Sequence, residues 1–265
     1  MKTLLLCMAL PLLALAKVHY AKVEPYESVT LKSAISGSVL EADLDAEGKM
    51  VTHKRVIHID DRLDQVDLNN TKESLELLQK MVNINKELAH SLQETAKRKK
   101  AYYTRMSKLS TASQTQIDNA YAAYASAKTQ YDSIKEKILS LEKQLLDTRY
   151  KIAMLEDTIA KKSIVLDRQY LYKLMVKEGE FVAPGVPLAR VDDASRAKIV
   201  LFLAPDELVG IENKKVYIDD KKTNFKVNKV WRVADERYVS SYRAEIYLPA
   251  PKRGYFSNLV KVELK

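Results

Sequence analysis

Four histidines, one cysteine and the pairs Asp60-Asp61 and Asp192-Asp193 are the first places to look for chemistry in this 265-residue chain. His19, His53, His58 and His90 are the only imidazoles. His53 and His58 are five residues apart in a β-like stretch, so on one strand they would face opposite sides, and a surface or turn role fits them better than a metal site. Asp60-Asp61 and Asp192-Asp193 could pair for acid-base work. They occupy equivalent ends of an internal repeat with no partnering base nearby, which reads as strand-end turns. No glycine-rich phosphate loop and no Ser/His/Asp signature is present. The chain is therefore not expected to be an enzyme, and no catalytic, cofactor-binding or metal-binding residue is assigned. The remaining concentration of chemistry is charge. Lys97-Arg98-Lys99-Lys100 continues to Arg105 and Lys108 with no acid between Glu94 and Asp118. Such a run is either a solvated face or a surface steered to an acidic partner, with Lys97, Arg98, Lys100 and Lys108 as its contact residues.

What must position that run is a pair of long helices. Ala120, Tyr124, Ala127, Tyr131, Ile134, Ile138, Leu141, Leu145, Thr148, Ile152, Leu155 and Ile159 alternate at spacings of four and three, which is a coiled-coil seam. Leu75, Leu78, Val82, Asn85, Ala89, Leu92, Ala96, Lys99, Tyr103 and Met106 form a second seam that Asn85 and Lys99 interrupt. Only Leu109-Ser110-Thr111-Ala112-Ser113 separates the two, so the helices must fold back as an antiparallel hairpin with its tip at 109–113. Each arm would be roughly 55 to 70 Å long at the helical rise per residue. Asn70 is the expected N-cap, with Glu73 in the reciprocal position, and Ser113-Gln-Thr-Gln116 reads as a capping box at the return.

The start of the chain reads as a secretory signal over residues 1–16: Lys2, an apolar run from Leu4 to Leu15, and Ala14-Leu15-Ala16 as a cleavage site. Cleavage after Ala16 would remove Cys7, the sole cysteine, and with it any disulfide or thiol chemistry. The expected compartment is the periplasm. A formal charge of +9 is moderate for this length and reads as a basic surface, with no nucleic-acid partner expected.

β patterns flank the hairpin. Lys17 to Glu24 alternates as a strand that Pro25 should end, and short strands follow around Ser28, Ser38 and Arg55. After the hairpin, strands return at Tyr172, Phe181 and Leu188. Gly48-Lys-Met-Val51 followed by Ile59-Asp60-Asp61 is echoed by Gly179-Glu-Phe-Val182 followed by Val191-Asp192-Asp193, and His53 takes the place of Gly185. Neither half can hold a core alone, so the two should close into one β domain that the hairpin splits. Strands from Ala197 to the end, with Pro205 opening a short helix, suggest a small barrel that the strand near Val18 completes. The fold class is thus α+β: a hairpin inserted between the halves of a β domain, then a small β-barrel domain. The expected boundaries are 17–27 for the strand joining the barrel, 28–66 and 163–193 for the two halves, 67–162 for the hairpin and 194–265 for the barrel.

This order, together with Val-Lys-Glu-Gly-Glu-Phe-Val-Ala-Pro-Gly-Val-Pro-Leu from Val176 to Leu188 and the Val-Asp-Asp-Ala-Ser that leads toward Leu-Ala-Pro-Asp-Glu-Leu-Val-Gly-Ile, resembles the HlyD-like membrane fusion proteins. These are the periplasmic adaptors of tripartite efflux pumps and type I secretion systems. The resemblance implies that the split domain is lipoyl-like and lacks a prosthetic group. No Met-Lys-Met or Asp-Lys pair stands at a turn between the halves to carry one. It implies a hairpin tip that meets a TolC-like outer-membrane channel through an Arg, a Leu and a Ser, matched here by Arg105, Leu109 and Ser113 across a tip loop shorter than the family's. It further implies an inner-membrane transporter of unspecified class at the barrel side, export of small molecules or proteins, and self-association into a ring, a hexamer. The usual Ala-Pro and Gly at the start of the second half are missing, and the sequence stops after the barrel, as in a minimal adaptor. A periplasmic coiled-coil scaffold or chaperone without an exporter is the alternative.

Overall fold

The computed structural model describes residues 17–236, 238, 240–251 and 256–265; the signal-sequence reading, with Cys7 and Ala16, lies outside them. Thirteen strands and two long helices follow one another among these residues. The first half of the split domain is built from the end of β1 (Val18–Lys32), then β2 (Gly37–Ala42), β3 (Lys49–Val51) and β4 (Lys54–Ile59). The second half repeats them as β5 (Ser163–Leu166), β6 (Gln169–Leu174), β7 (Phe181–Val182) and the first part of β8 (Pro187–Leu203).

The halves interlock by exchanging their third strands. β7 pairs with β2 through Gly37 and Val182, and β3 pairs with β6 through Met50 and Tyr170. Val39 faces Ile59 in one half as Leu171 faces Val191 in the other. Their apolar residues form one core, to which Val39, Ile57 and Ile59 contribute from one side and Leu166, Leu171 and Leu188 from the other. Gly48 and Gly179 both adopt positive φ, 72° and 84°, and His53 and Gly185 do as well, at 46° and 90°. The repeat is therefore preserved in backbone conformation even where it has changed residue. His53 takes up a left-handed turn that glycine occupies more cheaply.

The hairpin leaves this domain between its halves, as the sequence requires. Its first arm, α1 (Arg62–Met106), begins eight residues before the expected cap at Asn70. Leu68 below Asn70 and Thr71 just beyond it are both buried and carry the seam through it, so packing on the second arm extends the helix past a residue that would otherwise cap it. The return arm is α2 (Gln114–Lys161). Each is about 70 Å long. Val82, Leu141 and Leu145, with Leu75 and Leu78 against them, fill the base half of the seam. Ala89, Ala96, Ala120 and Ala127 line the half nearer the tip, where small side chains let the helices approach closely. Asn85 interrupts the apolar series but is satisfied in place, donating its side-chain amide to the Met81 carbonyl at 2.7 Å. Lys99 turns to solvent.

The remaining strands are β9 (Val216–Ile218), β10 (Lys221–Lys222), β11 (Val227–Val230), β12 (Tyr242–Pro249) and β13 (Leu259–Leu264). With β1 and β8 they form a half-barrel in the order β10, β9, β13, β1, β8, β12, β11. Ala197, Ile199, Leu201 and Leu203 alternate inward from β8 and are fully covered. Pro205–Leu208 forms the short helix expected there, as a single 3-10 turn. Pro25 does not end the first strand. Long-range pairing with β8 carries β1 through it, and the proline sits beside a break in register between Pro25 and Glu27.

Candidate functional site

α1 stops at Met106, and a seven-residue link, 107–113, returns the chain to α2. The link is a series of tight turns, with Lys108 N–H donating to the Arg105 carbonyl, Leu109 to Met106 and Ala112 to Leu109, at 3.1 to 3.2 Å. Ser113 caps α2. Its hydroxyl accepts from Gln116 N–H at 3.3 Å, and the Gln116 side chain accepts from Ser113 N–H at 2.9 Å, which completes the capping box read from the sequence.

Arg105, Leu109 and Ser113 are all exposed around this turn. Leu109 leaves 52 % of its surface in solvent, with no helix to place it against. Arg105 lies in the last turn of α1, where its charge complements the helix C-terminus. The tip therefore presents one cation, one apolar side chain and one hydroxyl on a short link of tight turns, an arrangement that suits contact with another protein.

The basic run lies just below the tip. Lys97 is held by Glu94 at 2.7 Å, and Lys97 pulls the Glu94 carboxyl below its usual range. Arg98 reaches Thr95 at 3.4 Å. Lys100 and Lys108 are exposed and form no ion pair among the described residues. The fold adds a residue that linear reading missed. The rungs Lys86–Glu142 and Lys72–Glu156 fix which residues of the two arms are level, and they put Lys128 beside Lys100. From Thr95 to Tyr131 the hairpin carries seven cations, including Lys128, against the single acid Asp118. The arms' level pairing was the signal that could have found it.

The other residues with chemical potential are occupied structurally. Asp60 forms a double contact with Arg62 at 2.9 and 2.7 Å, and the guanidinium holds its carboxyl well below the ordinary range. Asp61 meets His58 and Gln65, each at 3.1 Å. Lys162, almost fully covered, donates to the Asp60 carbonyl at 2.6 Å and pairs with Asp64, and Ile59 N–H reaches the Lys162 carbonyl at 2.8 Å. This cluster latches both arms to the β domain. Asp193 lies within β8, where it accepts from Ser195 N–H at 2.9 Å. His19 pairs with Glu207 at 2.7 Å, and His53 lies 3.4 Å from Asp167. Among the described residues no group of three or more His, Cys, Asp or Glu side chains is placed to hold a metal ion, and no helix is long and apolar enough to cross a membrane.

No protein-family model and no curated protein sequence matches the chain. Solved structures do. MacA from Actinobacillus actinomycetemcomitans matches with a TM-score of 0.65 at 16 % identity, over 94 % of this chain and 78 % of that one. The membrane fusion protein Spr0693 from Streptococcus pneumoniae R6 matches with a TM-score of 0.62 at 10 % identity, over 94 % and 99 %. A MacA–MexA chimera carrying the Pseudomonas aeruginosa MexA α-hairpin domain gives 0.58 at 16 % identity, over 94 % and 79 %. At these identities the likeness is one of fold. The chain has the membrane fusion protein fold, with its one long hairpin and half-barrel, as the sequence resemblance implied.

Proposed function

We propose that this protein is a periplasmic adaptor that links an inner-membrane transporter to a TolC-like outer-membrane channel, assembling with other copies of itself as a ring, a hexamer, for export of small molecules or proteins. The observation that carries this reading is the hairpin tip. Arg105, Leu109 and Ser113 stand exposed on a seven-residue link at the end of two arms of 45 and 48 residues, latched to a compact base by Lys162, Asp64 and Asp60. A projection this long and this firmly rooted carries a contact surface far from the base. The cations just below the tip would speed encounter with an acidic channel rim. The likeness in fold to a membrane fusion protein supports the same reading.

The test is export by cells carrying the Arg105→Asp and Leu109→Ser double variant. Both side chains are exposed and outside the seam, so folding should be unchanged by circular dichroism while export is abolished. Full export with a folded double variant would remove channel docking from this tip and leave a free-standing scaffold as the better account.

A further inference from the structure

Asp193 has the Ser195 N–H as a partner, but its neighbour Asp192 has no donor. Asp192 is 4 % exposed, and its Oδ1 accepts no hydrogen bond among the described residues. Arg190 Nε stands 3.5 Å from that oxygen, an ion pair without a hydrogen bond. A carboxylate covered this completely ordinarily has its lone pairs filled.

The strands around it explain the position. Leu171 and Val191, opposite each other on β6 and β8, belong to the core of the split domain, so the residues flanking them point outward. Asp192 stands opposite Tyr170 on this outer face, with Arg190 two residues away along the same strand. A bulge between Leu171 and Lys173 adds Tyr172 to the face. The Arg190 guanidinium lies 4.4 Å from the centre of the Tyr172 ring, and stacking there competes with a closer approach to Asp192.

An outward carboxylate is buried only where something stands over it. Here the half-barrel does. Phe256 and Ser257, just before β13, wall a cavity of about 310 Å³ whose floor holds Tyr170, Tyr172, Arg190 and Asp192. That wall is anchored, since Ser257 N–H donates to the Val23 carbonyl at 2.7 Å and Val23 N–H to the Asn258 carbonyl at 3.0 Å. A ligand in the cavity would therefore touch both β units at their junction.

The lining selects the ligand's chemistry. The volume is at the lower end of small-molecule sites and far more than one water needs. Three aromatic side chains favour an apolar or cationic body, and a buried carboxylate oxygen without a donor favours a charged N–H. An anion would meet Asp192 as a like charge.

We infer that this cavity binds a small organic cation, whose ammonium group donates to Asp192 while its apolar part lies against Tyr170 and Phe256. The site depends on neither the hairpin tip nor self-association, so it stands or falls apart from the adaptor reading.

Titration of the purified protein at neutral pH, followed by ligand-observed NMR, tests it with three compounds that share one ring. These are 2-phenylethylamine, 2-phenylethanol and 3-phenylpropionate. The amine should bind at least tenfold more tightly than the alcohol, and the carboxylate should not compete. Asp192→Asn, which keeps the shape of the side chain, should weaken the amine at least tenfold and leave the alcohol unchanged. Ala194→Phe, at a half-buried position on the cavity lining, should abolish amine binding with the carboxylate intact, and keeps the test open if Asp192→Asn does not fold. Circular dichroism checks the fold of each variant. Equal affinity for amine and alcohol would overturn the inference, as would undiminished amine binding by either folded variant. Tighter binding of the carboxylate would hand recognition to Arg190 and overturn it too. No amine binding at millimolar concentration would leave the cavity to water and overturn it outright.

Discussion

Ser113 has two possible duties, and one substitution alone cannot separate them. Its hydroxyl closes the capping box with Gln116, and it is also one of the three side chains displayed at the tip. Ser113→Ala should cost about 1 kcal/mol, the typical worth of an N-cap, and should raise amide exchange in the first turn of α2. Ser113→Asp keeps an oxygen acceptor for the cap, so exchange there should stay near the parent value. If the hydroxyl itself meets the channel, Ser113→Asp should still reduce export, and undiminished export would reduce the serine to its structural role. The cap was legible in the sequence because Ser-x-x-Gln before an apolar helix has a local mechanism. The docking roles proposed for Arg105 and Leu109 were not legible in that sense. Nothing in their own surroundings demands those residues, and they were reached through resemblance alone.

Elements were readable in proportion to how local their causes are. The hairpin follows from a heptad sustained over many turns, and its arms pack where the seam says. The error at Asn70 came from trusting a cap signal while Leu68 and Thr71 carried the seam through it from either side. Pro25 misled in the opposite way, since a local breaker was overridden by pairing with β8, which no short window contains. In the split domain, the repeat foretold the halves but not their exchanged strands. That exchange leaves Gly37 of β2 squeezed between β7 and the neighbouring β4. A Cβ there would lie 2.5 Å from Ile59 Cγ2, and Ile59 is fully covered. Gly37→Ala should therefore destabilise the split domain by about 1–3 kcal/mol, the usual cost of overpacking. Thermal unfolding followed through the β signal should show it, and a melting temperature equal to the parent's would mean that Ile59 can turn aside.

At the scale of the molecule, the half-barrel and the split domain are joined by two strands rather than by a linker. β1 and β8 run antiparallel from Lys32 opposite Pro187, beside β6, to Val23 opposite Ile199, beside β12. Their register breaks near the end of β1, between Leu31 and Lys32, and again between Pro25 and Glu27, where the chain passes from one unit to the other. At that break the Tyr26 ring lies 3.8 Å under the Arg196 guanidinium and 5.2 Å from the Tyr247 ring, edge to face. The ribbon alone could twist at an irregular register. The stacked Tyr26, Arg196 and Tyr247 fill the gap and hold the angle between the units, and with it the direction in which the latched hairpin points from the barrel. Tyr26→Ala should loosen that angle more than it lowers stability, because the two cores on either side are untouched. Spin labels at Lys222 in the half-barrel and Lys99 on the hairpin, both exposed, would report it. The parent should give a narrow distance distribution, and Tyr26→Ala a broader one with a melting temperature shifted by only a few degrees. An unchanged width would assign the rigidity to the paired strands themselves, and the hairpin's aim would then depend on backbone hydrogen bonds alone.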